Sequence, residues 1–475
     1  MPVTNSSSYL LDSLNENSHH CFENSGDSVG HFTNIGQQAI LIGGGDQEGL
    51  GDLLRPHVYS RLFDFDTYRC AGLVSKNMTN RGAHDVINFG EAALEMGGAP
   101  LSLIHLGSDT LLSGLLSSYH RAAEGDESQN FVNLFQMAAR EELVGYVQRR
   151  SGQTSSVAYV LSPKGIFSNS DVMFFSLRLP EPSILEEAQE EHIMHCAGES
   201  RFFGVSGKSA EQFFSDRGIA CEQMPCSLTF IPTLCNHLVG QPCAAIKELN
   251  QNYGNGWVAL EVSEVPEDQE QALVEAVESL CREKQWGIVL YSSRKLNQDK
   301  INHWTSLFEQ ATWFNSGNIW HQVQMLSKSK CYIGSCLDSR ILACAYGIPR
   351  VNTLRNDRKI SDYCSVWELD SLPDTLSIER DQWAKQLLEI VDHDQKSLRE
   401  FSMTTKHAFL KSIGKAVDQS KLTRRIFTCD NIEHFETVVQ NKSMKSTLPD
   451  RASLDSSILA EIEYLERHLV PEDSK

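Results

Sequence analysis

Short apolar runs that end in glycine or other small residues and pass directly into a helical pattern recur along this chain. That repetition restricts its fold more than any other feature. Gln38-Ala39-Ile40-Leu41-Ile42 ends at Gly43-Gly44-Gly45 and leads into a pattern with Leu53, Leu54, Val58 and Leu62, for which Asp52 can serve as N-cap. Gly72-Leu73-Val74 fits a second strand, and His84 to Glu95 a helix ended by Gly97-Gly98. Leu101 to Leu106 runs into Gly107-Ser108-Asp109, and Ser156 to Leu161 and Val172 to Leu177 read as buried strands. Arg201 to Val205 is a further strand, followed by a helix from Ser209 to Arg217 closed by Gly218. Strand–glycine–helix repetition predicts a parallel sheet with right-handed crossovers.

A second series begins at Trp257 to Val262 and continues through an amphipathic helix carrying Leu273, Val277 and Leu280. The strand Gly287 to Tyr291, a helix from Ile301 to Phe308, a helix from Asn318 to Leu326 and the strand Cys331 to Gly334 follow. A chain of 475 residues exceeds one ordinary core. The expected organisation is a disordered tail at 1–36, a Rossmann-like domain at 37–235, a linker at 236–255 and a second Rossmann-like domain at 256–380. A helical extension occupies 381–440, where the helix near Trp383 to Ile390 is expected to pack across both domains. A polar tail at 441–475 ends in a stripe of Ile458, Ile462, Leu465 and Leu469. That stripe can dock on the body or on a second copy, so a homo-oligomer is compatible with it.

The net charge of −20 argues against a broad nucleic-acid footprint, which needs clustered cations. Thirteen cysteines, an odd number without a CxxC pair, predict reduced thiols used as small apolar residues in a cytoplasmic protein. No apolar run approaches the ~20 residues that span a bilayer. Histidines show no metal-ligand spacing with acidic partners, so no metal or other cofactor is expected, and His105 reads as a core residue.

Chemistry concentrates at strand ends, where α/β proteins bind ligands. The strand Cys331-Tyr332-Ile333-Gly334 stops at Ser335-Cys336-Leu337-Asp338, a helix begins, and Gly347-Ile348-Pro349 closes the unit. Gly43-Gly44-Gly45 lacks a P-loop lysine and is followed by Asp46, Glu48 and Asp52, so it suits a neutral ligand or a plain strand-to-helix turn. Gly107-Ser108-Asp109 is a second strand-end turn, facing the same cleft if the sheet is parallel.

In order and spacing these pieces resemble the polysaccharide pyruvyl transferase family over residues 38–380. The motifs that carry the resemblance are Gly49-Leu50-Gly51-Asp52, Leu106-Gly107-Ser108, Gly204-Val205-Ser206-Gly207-Lys208-Ser209 with Met224-Pro225, and Ile333 to Asp338 before Gly347-Ile348-Pro349. Ser206 stands where the family has arginine, Asp338 where it has histidine, Gly49 where it has asparagine, and Cys226 where aspartate follows proline. The resemblance implies two Rossmann-like domains similar to GT-B glycosyltransferases. It further implies transfer of a pyruvyl group from phosphoenolpyruvate, or a related anionic donor, to hydroxyls of a glycan or other acceptor in polysaccharide biosynthesis.

Such transfer needs cations over a carboxylate and a phosphate, and a proton donor for the methylene carbon. On this reading Asp338 and Lys208 are the candidate catalytic residues. Gly44, Gly45, Asp52, Gly107, Ser108, Ser206, Ser335 and Arg340 are the candidate substrate contacts. Lys208 at a helix start can bind an anion, as can Arg340, or each can be solvated or acid-paired. Asp338 can accept hydrogen bonds from sugar hydroxyls, act as a base, or cap its helix. Arg178, Arg350 and Arg355 are the cations available to replace the missing arginine. Two other readings are a non-catalytic descendant that binds a ligand or partner through the cleft, and a GT-B glycosyltransferase using a nucleotide sugar.

Overall fold

The computed structural model of the chain describes residues 37–108, 112–179, 185–240, 242–353 and 358–424. Its first sheet comprises β1 (Gln38–Ile42), β2 (Thr67–Gly72), β3 (Lys76–Asn77), β4 (Asp85–Asn88), β5 (Ser102–His105), β6 (Asp171–Leu177), β7 (Phe202–Val205) and β8 (Glu222–Gln223). Their spatial order is β3-β4-β2-β1-β5-β6-β7-β8, parallel throughout except for β3 with β4. The second sheet holds β9 (Trp257–Glu261), β10 (Gly287–Tyr291), β11 (Thr312–Trp313), β12 (Cys331–Gly334) and β13 (Arg350–Asn352). It is parallel throughout, in the order β11-β10-β9-β12-β13. The fold is therefore α/β, with two Rossmann-like halves and a helical C-terminal part. Strands β9 and β12 are buried along their whole length, which is why they read as unbroken apolar runs.

Each sheet winds outward in both directions from its first strand. β1 lies between β2 and β5, and β9 lies between β10 and β12. At such switch points the loops leaving neighbouring strands diverge and open a crevice. Gly43 and Leu106-Gly107 follow the two strands at the first switch point, and Val262 and Ser335 the two at the second. One apolar cluster, including Leu54 and Tyr59 of the first half and Tyr332 and Ile341 of the second, joins the halves behind these crevices.

Several local expectations change. The helix Leu50–Leu62 is entered through Gly49, and Asp52 lies inside its first turn rather than capping it. Residues 85–88 form β4, and the helix begins only at Phe89, with Asn88 as its N-cap. Residues 156–161 form no strand: Val157 makes only an isolated antiparallel bridge with Gly114, and side chains take up backbone groups that a longer ladder would use. The Gln153 amide donates to the carbonyls of Ala158 and Val160, and the Leu161 N–H donates to Nε2 of His105. His105 itself is fully buried and stacks on Phe174 at 4.0 Å between ring centroids, as a core residue.

The region expected as a linker, 236–255, contains the short helices Asn236–Val239 and Ala244–Asn252, which bury Val239, Ile246 and Leu249. The helix Trp383–Val391 packs on Glu267–Lys284 within the second half. It is the next helix, Gln395–Gln419, that reaches both halves. Its Ser402 hydroxyl donates to the Ala345 carbonyl at 2.7 Å, and its Phe409 ring meets Tyr59 and Phe230. Among the described residues no helix is long and apolar enough to cross a membrane. The tail at 1–36, Asp109, Arg355 and the stripe from Ile458 to Leu469 lie outside the described residues.

Candidate functional site

The strand-end loops of both halves enclose a cavity of about 910 Å³. One wall comes from the loops after β1 and β5 and the helices beyond them. The other comes from Ser293, Arg294 and Lys295 after β10, Cys336 and Asp338 after β12, and Lys359. The first wall carries Lys76, Arg121 and Arg140 beside Glu48, Asp52, Glu124 and Glu186. Many of these charges are already paired. Lys76 Nζ lies 2.5 Å from Glu124, Arg81 lies 2.9 Å from Glu48, and Arg140 pairs with Glu186. Burial acts to raise the Glu48 carboxyl, but Arg81 and Lys76 outweigh it and hold the group below its ordinary value. Gln47, Ser108, Ser113, Ser156 and Gln189 add neutral donors and acceptors.

Asp338 occupies the point where the halves meet. Its Oδ1 accepts from Nη2 of Arg55 at 2.6 Å and from Nη2 of Arg178 at 3.2 Å. The side chains are 1% exposed for Arg55, 10% for Arg178 and 19% for Asp338. Arg55 also donates to Asp52 Oδ1 at 2.8 Å. Burial works against the Arg55 charge, yet its neighbours, Asp338 foremost, outweigh that and raise its pKa. Gly51 makes this approach feasible, because a Cβ there would overlap the Asp338 carboxylate. Arg178, the residue after β6, is thus the cation that reaches the altered position; Arg350 does not.

The other expected anion contacts are arranged differently. Lys208 is exposed at the start of its helix and is not a cavity-lining residue. The N-terminus of that helix receives Asp362 from the second half, whose Oδ1 accepts from the backbone N–H and the hydroxyl of Ser209 at 2.8 and 2.7 Å. Ser206 is fully buried, and its carbonyl accepts from Nε1 of Trp367. Arg340 does not line the cavity. It is buried with Nη2 2.9 Å from Glu368 Oε2 and Nη1 2.8 Å from Asn352, while Arg350 holds the same carboxylate from another side. One buried glutamate bridges the two buried guanidiniums, and their other N–H groups donate to Asn352 and to the carbonyls of Asp374, Pro373 and Ile348.

Ser335 faces inward too. Its backbone N–H and hydroxyl donate to Glu261 Oε2 at 3.2 and 2.9 Å. The other oxygen of Glu261 accepts from the N–H groups of Ser263 and Ser293 at 3.3 and 3.2 Å. A fully buried carboxylate therefore ties together the loops after β9, β10 and β12 at the second switch point. Backbone N–H groups converging there would otherwise suit an anionic ligand.

On the first wall, Gly44 and Gly45 are buried in the turn after β1, where the Gln47 N–H donates to the Gly44 carbonyl. Next to them Asp46 accepts from Leu73 N, Val74 N and the Tyr159 hydroxyl. Burial pushes its pKa up to about 6 against those hydrogen bonds. Gly107 has φ of +82°, and a Cβ there would overlap the Phe175 carbonyl, so this turn requires glycine. Of the residues expected to form the site, the cavity brings together Asp52, Ser108 and Asp338. Gly44, Gly45, Gly107, Ser206, Ser335 and Arg340 do not line it.

Sequence reasoning missed Arg55, Glu261 and Asp362. Arg55 has a weak signal in its i,i+3 spacing from Asp52, and Glu261 a stronger one as an acid that ends an otherwise apolar strand. Asp362 has none. Among the described residues no cluster of histidine, cysteine and carboxylate side chains could hold a metal ion.

No protein-family model matches the chain, and no curated protein matches it. Solved structures with a similar arrangement include a UDP-GlcNAc 2-epimerase from Neisseria meningitidis bound to UDP-GlcNAc, with a TM-score of 0.45 and 8% identity over 80% of this chain and 98% of that one. A putative UDP-N-acetylglucosamine 2-epimerase from Listeria monocytogenes gives 0.44 and 11%, over 81% and 97% of the two chains. The UDP-GlcNAc 2-epimerase of Methanocaldococcus jannaschii in complex with UDP-GlcNAc and UDP gives 0.43 and 9%, over 76% and 93%. With scores below 0.5, these likenesses assign neither ligand nor reaction, and the two-half α/β architecture stands on the strand order itself.

Proposed function

We propose that the cleft binds a hydroxyl-rich, sugar-type ligand, and that phosphoenolpyruvate-dependent transfer does not run through the positions the family resemblance points to. The observation that carries this reading is Asp338 held on Arg55 and Arg178. The two cations nearest the altered position already face Asp338 and Asp52. A donor carboxylate or phosphate about 4 Å from Asp338 would meet roughly 4 kcal/mol of repulsion per charge pair at an effective dielectric near 20.

The rest of the cavity suits sugars. Hydroxyl groups both donate and accept, and the walls alternate carboxylates, cations, serines and glutamines. A volume of about 910 Å³ accommodates an oligosaccharide or a nucleotide sugar. One observation favours the nucleotide sugar as a second reading. The wall of the second half carries Lys295 and Lys359 beside Arg294, which pairs with Glu264, and phosphates could lie against it.

Ligand-induced melting shifts distinguish these readings, because binding raises apparent stability by mass action. Neutral oligosaccharides should raise the melting temperature in wild type and lose that effect in Glu124→Ala. A shift with nucleotide sugars that Lys295→Ala removes would favour the second reading. A shift with phosphoenolpyruvate alone would overturn both.

A further inference from the structure

We infer that Arg55 and Arg178 form a binding site for one oxyanion, a carboxylate or phosphate group, and that the chain fills this site with its own Asp338. Two side chains from different elements, one in the helix Leu50–Leu62 and one directly after β6, bring an Nη2 to the same oxygen of Asp338. Arg55 is 1% exposed and Arg178 10%, whereas the carboxylate they grip is 19% exposed and lines the cavity. The cations thus belong to the frame, and the anion approaches them from the cavity side. Guanidinium groups suit an oxyanion here, since their N–H donors match its lone pairs.

Gly51 leaves room for the carboxylate on its far side, where any Cβ would overlap it. Asp52, another partner of Arg55, binds Nη1, whereas Nη2 faces the occupant. Because Asp338 is tethered, it competes with free anions at an effective concentration in the millimolar range or above. Dissolved carboxylates and phosphates therefore do not enter the native site.

Removing the tethered occupant and offering a free one tests this assignment. Asp338→Ala should show a saturable rise in melting temperature with sodium formate or inorganic phosphate, beyond that given by sodium chloride at equal ionic strength. Wild type should show no such excess, and Arg178→Ala in the Asp338→Ala background should abolish it. Formate and phosphate arms tell a carboxylate site from a phosphate site. If Asp338→Ala does not fold unaided, refolding yield with and without formate gives the readout, and recovery specific to formate or phosphate supports the site. A variant whose stability or refolding follows ionic strength alone overturns it, as does an equal anion response in wild type. No sugar ligand enters the experiment, so its failure leaves the proposed function standing and reduces Asp338 to a structural bridge.

Discussion

Nη2 of Arg55 lies 2.6 Å from Oδ1 of Asp338, joining two helices that belong to different halves and are separated by 283 positions in the sequence. The contact anchors the second half to the first beside the cavity. It also neutralises the residue that the family resemblance marks as most altered. Removing one partner of a buried ion pair leaves an uncompensated charge and costs about 3–5 kcal/mol. Asp338→Asn should therefore lower the stability measured by urea denaturation by about 3 kcal/mol, the low end of that range because Asp338 is partly exposed.

Gly51→Ala should act through the same contact. The added Cβ overlaps the Asp338 carboxylate, so the bridge must break or the helix must shift. Combined with Asp338→Asn, the loss should be smaller than the sum of the two single losses, since both remove one interaction. Additive losses in the double-mutant cycle would mean that Gly51 acts elsewhere.

Asp362→Ala should cost about 1 kcal/mol, the usual value of an N-terminal helix cap, because the N–H of Ser209 loses its acceptor. Lys208→Ala should stay within about 0.5 kcal/mol of wild type, as surface substitutions usually do. Chemical denaturation of the two variants side by side checks both expectations. A larger effect at Lys208 than at Asp362 would return the anion contact to the lysine.

The buried Asp46 carboxyl gives a pH dependence of known sign. Its folded pKa of about 6 lies above the ordinary 3.8, so between those values the folded state holds more protons than the unfolded one. The stability it contributes is complete below about pH 4 and is lost as pH rises through about 6, an effect on the order of 3 kcal/mol at most. Relative to Asp46→Asn, wild type should become less stable as pH goes from 4 to 7. Parallel thermal denaturation series over that range check the slope, and parallel curves would contradict it.

Much of the fold was legible because parallel strands covered on both faces appear as continuous apolar runs. β1, β5, β6, β7, β9, β10 and β12 all lie within or beside the stretches read as strands. The errors have physical causes. Residues 156–161 look like a strand, but Gln153 takes the carbonyls of Ala158 and Val160 and His105 the N–H of Leu161, which leaves only a single bridge to Gly114. In the site, Asp338 was legible from its place at a strand end. Its partners were less so, since hydrophobic periodicity assigns an arginine such as Arg55 to a solvated helix face and says nothing of a carboxylate from the other half. Arg340 misled for the matching reason: its location two positions after Asp338 suggested the cleft, whereas helical geometry turns it inward onto Glu368.

Isothermal titration of the full chain with phosphoenolpyruvate, and separately with neutral oligosaccharides and nucleotide sugars, tests the central claim most directly. The internal ion pair of Asp338 predicts no saturable heat with phosphoenolpyruvate at millimolar concentration, and saturable binding within the sugar-type panel that Glu124→Ala or Lys295→Ala weakens. Saturable phosphoenolpyruvate binding by wild type, with no response to any sugar-type ligand, would contradict it.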